Sequence, residues 1–285
     1  MNKFSILLSS VILLCSCSNY GQLQIVADLP SMLKENSGMA AYGDNTVWLI
    51  EDSGNKPEMY QVDFQGNILR TLLVKGATNK DWEDLAQDKE GNLYIADTGN
   101  NNNSRKDLVI YKVGNPTHEK GAKIAAEKIE FWYPEQKKFP PKKKHLRYDA
   151  EALFHHKDHL FLITKNRSKP FTGEAFVYKI PAAIGNHKAK RIGKITTCLD
   201  ENRCKVTGAD ISPDEKTVVL LGNGILWVYT DFNEADFNTG TQRTIDLQTA
   251  SQLEAIRFLN DSTLLLSDER IGPHGGNLYT YTLKK

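Results

Sequence analysis

Cysteine is scarce in this chain, four in 285 residues, and so are long apolar runs, net charge and helical periodicity. Each absence excludes something. Lys and Arg (36) nearly balance Asp and Glu (35), for a formal net charge of +1, which leaves no basic footprint for nucleic acid. No continuous 3.6-residue apolar stripe of useful length occurs beyond the N-terminus, so an α/β fold has no helices to build with. There is no Gly-x-Ser-x-Gly elbow, no P-loop and no Gly-x-Gly-x-x-Gly turn, which argues against serine nucleophiles and nucleotide-driven chemistry.

Residues 1–17 read MNKFSILLSSVILLCSC. Lys3 precedes an apolar run from Phe4 to Leu14, about the length of a secretory core and too short to span a bilayer. The end of the run, Leu14-Cys15-Ser16-Cys17, resembles a bacterial lipobox. On that reading residues 1–16 are a signal peptide, Cys17 is acylated and residues 17–21 are a lipidated tether. An ordinary signal peptide cut nearby is the alternative. A lipid anchor holds a protein at a membrane without spanning it, so the expected address is the cell envelope, extracytoplasmic, at the outer membrane or the periplasmic face. Cys198 and Cys204 remain; they flank five residues in a compartment that permits oxidation and are expected to form a disulfide. Two thiols without an adjacent His do not suggest zinc.

What the chain has in quantity is short apolar strands. Five segments each place a polar or small residue before one strand, then a turn and a second strand, often ending in an acid. Aligned on Ser37, Glu83, Glu151, Gly208 and Glu254, their spacings are 46, 68, 57 and 46. Repeats of this size and β-character point to propeller blades. A third strand follows in every unit and a fourth in all but the last, which the strand Leu23–Leu29 can complete, removing an open edge. The expected fold is all-β: one β-propeller over residues 22–285, with five four-stranded blades, the last closed by the N-terminal strand. A sixth blade would need the basic, Pro-rich stretch Pro134–His145, which reads instead as an exposed loop, with contact to anionic lipid or polysaccharide as its alternative.

The blocks DWEDLA…LYIADTGNNNNSR, YDAEALF…LFLITKNR, VTGADISPDEKTVVLL and LEAIRF…LLLSDE resemble a broad set of uncharacterised bacterial exported β-propeller proteins. More distantly, they are similar to the esterase-like phytase and gluconolactonase-type propellers. The latter resemblance implies a divalent metal held in the channel by Glu, Asn and Asp, although their central Asn positions have no one-to-one counterpart here.

In a blade the innermost strand starts, and the second strand ends, on one face of the disc, so acids recurring at those positions converge on one mouth of the channel. The candidates are Glu83, Glu151 and Glu254 as metal ligands, with Asp81, Asp97, Asn100, Arg105, Asp149, Lys165, Asp210, Asp268 and Glu269 around a ligand. Asp52 ends another second strand. Clustered carboxylates repel unless a cation sits among them, Lys165, Arg105, Arg167 or Arg270 pairs with them, or some are protonated. Carboxylate and Asn donors favour a hard cation, Ca²⁺ or Mg²⁺; capping of strand ends is the structural alternative. No organic cofactor is expected. Glu83, Glu151 and His274, in the last second-to-third loop, are candidates for catalysis. His155, His156 and His159 fall in a turn on the opposite face, and Trp48, Trp82 and Trp227 read as packing residues, with sugar stacking on Trp82 as the alternative.

The expectation is a monomeric, membrane-anchored lipoprotein with an acidic, cation-dependent site for a small molecule or polysaccharide. A metal-dependent hydrolase of lactones or phosphoesters and a protein-binding scaffold are the alternatives, because a propeller fold does not itself choose a function.

Overall fold

The computed structural model describes residues 20–43, 45–233 and 236–284. The expected signal peptide and the expected acylation site, Cys17, lie outside the described residues. Within them the chain is strands and short 3-10 turns, with no α-helix and so no helix long and apolar enough to cross a membrane. Strands such as Leu93–Asp97 and Val218–Gly222 are buried at every position, as expected where sheets are covered on both faces.

β1 (Gln24–Asp28) comes first. The first ladder is β2 (Asn36–Ala41), β3 (Thr46–Glu51), β4 (Glu58–Asp63) and β5 (Ile68–Lys75). The second is β6 (Trp82–Gln87), β7 (Leu93–Asp97), β8 (Leu108–Val113) and β9 (Lys123–Trp132). The third is β10 (Asp149–His156), β11 (His159–Lys165), β12 (Glu174–Pro181) and, after a short β13 (Gly185–Lys188), β14 (Lys190–Thr196). The fourth is β15 (Gly208–Ile211), β16 (Val218–Gly222), β17 (Ile225–Thr230) and β18 (Thr241–Asp246). The last has β19 (Leu253–Phe258), β20 (Thr263–Asp268) and β21 (Asn277–Thr282), and takes β1 as its outer strand, with Asp28 opposite Asn277. All these ladders are antiparallel. A short parallel pairing of β5 with β9 joins the first two into a nine-stranded sheet that also includes β13.

The first strands of the ladders form a ring: β2 touches β6, β6 touches β10, β10 touches β15, β15 touches β19, and β19 returns to β2. The fold is the all-β propeller expected from the repeat. Apolar clusters fill the spaces between successive sheets; Trp48 and Trp82 lie between the first two, Phe154 and Trp227 between the third and fourth. Trp82 is 0% exposed, which leaves no ring face for a sugar. The inner strands approach closely enough that an added Cβ at Gly38 would fall 2.7 Å from the Leu85 amide nitrogen. Hydroxyl groups link neighbouring strands: Ser37 donates to the Trp82 carbonyl (2.8 Å), Thr98 to Ala150 (2.7 Å) and Thr207 to Leu253 (2.7 Å). A disulfide joins Cys198 to Cys204 in the connection between the third and fourth ladders.

β1 pairs along β21, and Leu23 and Leu29 flank it in buried positions. Deleting Gln22–Pro30 exposes the edge of β21 and removes both leucines, a loss of roughly 3–6 kcal/mol from their burial alone. The expected result is a lower denaturation midpoint in urea; an unchanged midpoint would show that β1 does not close the ring.

Candidate functional site

The ladder between first and second strands slips at one place in four of the units. The register jumps between Asn36 and Gly38, Trp82 and Asp84, Ala150 and Ala152, and Leu253 and Ala255. The residues skipped are Ser37, Glu83, Glu151 and Glu254. A β-bulge leaves its extra residue unpaired and re-aims the side chain, and three of these four carry a carboxylate. The fourth ladder has no such slip, and Gly208 pairs directly with Leu221. The bulges explain how adjacent residues that strict alternation would send to opposite faces can both reach the channel.

One part of the acid cluster is clamped. Arg167 pairs with Asp149 (2.6 Å) and Glu151 (2.7 Å), and Lys165 pairs with Glu151 (2.6 Å) and lies 3.9 Å from Glu254. The Asn100 amide donates to Asp149 at 2.5 Å. Burial opposes the charge of Glu151, but Lys165 and Arg167 outweigh it and hold its carboxyl below the usual range. Burial likewise opposes the Lys165 ammonium, and Glu151 and Glu254 overcome it, so the pKa rises. Asp149 is pushed to about 7 by burial and by Glu151, against Arg167. Burial also drives Glu254 to about 8 despite Lys165.

The other part has no such clamp. Asp52, Asp81 and Glu83 offer carboxylate oxygens within 4.8 Å of one another, as do Glu83, Asp149 and Glu151. Asp52 and Asp81 are partly exposed and Glu83 is buried. Among the described residues none of Asp52, Asp81 and Glu83 forms an ion pair. Burial lifts Asp52 to about 7, with Asp81, Glu151 and Glu269 adding to the rise. Burial and then Glu151 raise Asp81, and burial, Glu151 and Asp52 raise Glu83 well above the usual range. Gly99 closes this group from one side: its amide donates to the Asp81 carbonyl at 3.1 Å, and a Cβ there would collide with the carboxylates of Glu83 and Asp81. The donors are hard oxygens, and their spacing suits the roughly 2.3–2.6 Å bonds that Ca²⁺ makes. The residues present fit a divalent cation.

Several candidates from the sequence lie elsewhere or serve the backbone. Asp97 accepts from the Asp81 amide (3.1 Å) and pairs with Arg105 (2.9 Å), so it supports Asp81 from behind. Asn100 is spent on its own loop, accepting from the Arg105 amide (2.9 Å) and donating to the Tyr148 carbonyl (3.0 Å). Asp268 is 0% exposed and accepts from the Asn277 amide and the Tyr279 hydroxyl, each at 2.8 Å, and from Ser251. Arg270 pairs with Asp28 rather than with the cluster. Asp210 points toward the other mouth, where it pairs with Arg257 (3.0 Å) and accepts from the Phe258 amide (2.7 Å). Glu269 accepts from Gln252 and shares with exposed His274 a cleft of about 740 Å³ at the rim. His155 stacks on Tyr94 at 5.3 Å, on the opposite face.

Sequence reasoning missed Asp84. Its carboxylate accepts from the amides of Leu85 (2.7 Å), Leu153 (2.8 Å) and Ala209 (3.3 Å), so it ties three ladders together across the channel. The only sequence signal was a second acid directly after Glu83.

Two predictions follow from the charge arrangement. Glu51, Asp52, Asp149 and Glu254 have folded-state pKa values of about 7, 7, 7 and 8, above their unfolded values. The folded state therefore holds more protons, and the stability this contributes is present below the ordinary carboxyl range and lost as pH rises toward about 8. Metal-free protein should lose stability steadily over that window in denaturation at fixed pH; a flat profile would contradict the assignment. Lys165→Met leaves Glu151 and Glu254 without their ammonium and should cost about 3–5 kcal/mol at neutral pH.

No protein-family model matches the chain, and no curated protein matches it in sequence. Among solved structures it is similar to the PQQ-bound aldose sugar dehydrogenase of Streptomyces coelicolor, with 12% identity, a TM-score of 0.54, and coverage of 91% of this chain and 97% of that one. It is also similar to a gluconolactonase of Xanthomonas campestris, with 10% identity, a TM-score of 0.47, and coverage of 87% and 72%. At such identities the likeness to the dehydrogenase shows the fold alone: a β-propeller.

Proposed function

We propose that this chain is a lipoprotein of the cell envelope, held at the extracytoplasmic side of a membrane through acylated Cys17. On this reading its propeller binds a small-molecule or polysaccharide ligand through a divalent cation, Ca²⁺ ahead of Mg²⁺. The observation that carries it is the unequal neutralisation of the acids. Lys165 and Arg167 already serve Asp149, Glu151 and Glu254, whereas Asp52, Asp81 and Glu83 crowd together without an ion pair among the described residues. The cation is therefore assigned to Glu83 with Asp52 and Asp81, rather than to Glu83, Glu151 and Glu254 as the sequence alone suggested.

A hydrolase of lactones or phosphoesters is the second reading, and it rests on Asp52. This carboxyl is partly exposed at the proposed cation site, where it stands beside an incoming substrate or water. The metal, when bound, supplies positive charge to polarise a carbonyl or phosphoryl oxygen. Turnover of a lactone and phosphoester panel that is lost in Asp52→Asn would favour this reading over a non-catalytic binding site.

The cation is tested by melting. Ca²⁺ at a hundredfold over its Kd stabilises by about 2.7 kcal/mol, and EDTA should remove that gain. Glu83→Gln and Asp52→Asn should abolish the response, while Glu90→Gln, in a turn on the other face, should retain it. No Ca²⁺ response in the wild-type protein at neutral pH would end the cation reading. The anchor is tested separately: Cys17→Ala should leave an unprocessed precursor.

A further inference from the structure

Large apolar side chains exposed at loop tips gather on one face of the disc. Leu199 is 77% exposed, Ile271 59%, Met32 54% and Phe139 37%. All four lie in connections on the face that carries the acidic mouth: β14 to β15, β20 to β21, β1 to β2, and β9 to β10. Among the described residues the connections of the opposite face expose one, Ile184, and the others lie on the outer strands β1, β5 and β9. Separate apolar tips around a rim do not pack on one another, and they fit a soft, broad partner better than a pocketed one.

The same face carries a fixed cationic ledge. Lys137, Lys138, Lys142 and Lys144 are exposed, and none forms an ion pair with a described residue. They border a cleft of about 570 Å³ with Arg147 and Phe176. The ledge is tied down: Lys169 donates its amide to the Lys143 carbonyl (3.1 Å), Arg167 to Leu146 (3.0 Å), and the Gln136 side chain to Asn103 (2.7 Å). Lysines near an anionic bilayer each contribute about 1 kcal/mol, roughly fivefold in partition.

The chain's N-terminal tether ends at this face. Gln22 bonds to the carbonyls of Leu247 (2.8 Å) and Asp246 (2.7 Å), and Asp246 pairs with Arg203 (2.7 Å) in the connection that carries Leu199. Only Ser18 and Asn19 separate Cys17 from Tyr20, so the span is at most about 10 Å. An acyl chain on Cys17 would hold this rim at the headgroup layer.

We propose that the face bearing the acidic mouth lies against the anionic bilayer to which Cys17 is attached, with Met32, Phe139, Leu199 and Ile271 entering the interface and the Lys137–Lys144 ledge on the headgroup phosphates. The inference rests on the lipid-anchor reading above and goes beyond it by fixing the orientation.

The test is amide hydrogen exchange on the acylated full-length product, in detergent, on phosphatidylcholine vesicles and on vesicles that also contain phosphatidylglycerol. The mass of its N-terminal peptide reports acylation. On the anionic vesicles exchange should slow in residues 136–146, 198–204 and 270–275, and should match the detergent rates in residues 88–91 and 114–120 on the other face. Combined Lys137→Glu, Lys142→Glu and Lys144→Glu should lose the slowing at 136–146 while melting like the wild type. An acylated protein whose exchange slows equally on both faces, only on the opposite face, or nowhere, overturns the orientation and leaves the anchor standing. An N-terminal peptide without acyl mass overturns both.

Discussion

A carboxylate taken out of water needs a cation, a proton or several N–H donors, and the channel of this propeller meets that demand in all three ways. Asp149 and Glu151 use Arg167 and Lys165. Asp84 uses three backbone amides, and Asp268 an amide and two hydroxyls. Glu83, Asp52 and Asp81 have neither arrangement, and burial together with their acidic neighbours raises their pKa values, which favours the protonated forms there. The imbalance is local, since the whole chain is nearly neutral. Balanced composition conceals a strongly segregated interior.

The asymmetry of the cluster follows from one structural position. The residue next to the ladder partner at the slipped pair is Asp52 in the first unit, Thr98 in the second, Lys165 in the third and Glu269 in the last. A repeat built with an acid at this place throughout would crowd the mouth with uncompensated charge. Lysine in the third unit lies between two bulge glutamates, Glu151 and Glu254, and lowers the repulsion for both. What remains unneutralised is on the side of the first and second units. Repetition supplies the acids, and the lysine of the third unit decides which of them gain a cationic partner.

The fold was legible because inner strands of a propeller repeat one chemical task, a small or acidic start followed by a fully buried run, and the unpaired strand near residue 24 matched a unit that lacked one. The parallel joints of β5 and β13 with β9 were not legible, since outer-strand neighbours depend on how far successive sheets twist. Several of the recurring acids gather in space, while Asp210 stands apart with Arg257. Their recurrence did not reveal which would meet, because a one-residue bulge changes the facing of a side chain without leaving a pattern in composition. Asp52 and Asp268 both end second strands in the sequence, yet the register sets them one place apart. Asp268 falls opposite Leu253 and is consumed by Tyr279 and Asn277, whereas Asp52 falls just past the Asn36–Glu51 pair and reaches the cluster. Asp84 was passed over for the same reason: its role depends on amides from two other ladders.

Arg167 connects the rim to the centre. Its backbone amide is held by Leu146 of the basic connection, while its guanidinium clamps Asp149 and Glu151. The lysine-rich connection runs directly into the strand of Asp149 and Glu151 and is hydrogen-bonded to the clamping residue itself. At physiological ionic strength charges act over about 8 Å, so the exposed lysines cannot tune the buried acids from a distance. Arg167 supplies the short-range route instead. Any load that shifts the connection between β9 and β10 displaces the backbone that positions this guanidinium. Loss of its charge from the cluster would leave Asp149 and Glu151 competing with Glu83 for the remaining proton or cation. The connection is thus part of the site's electrostatics through geometry, even though its own lysines are exposed to solvent.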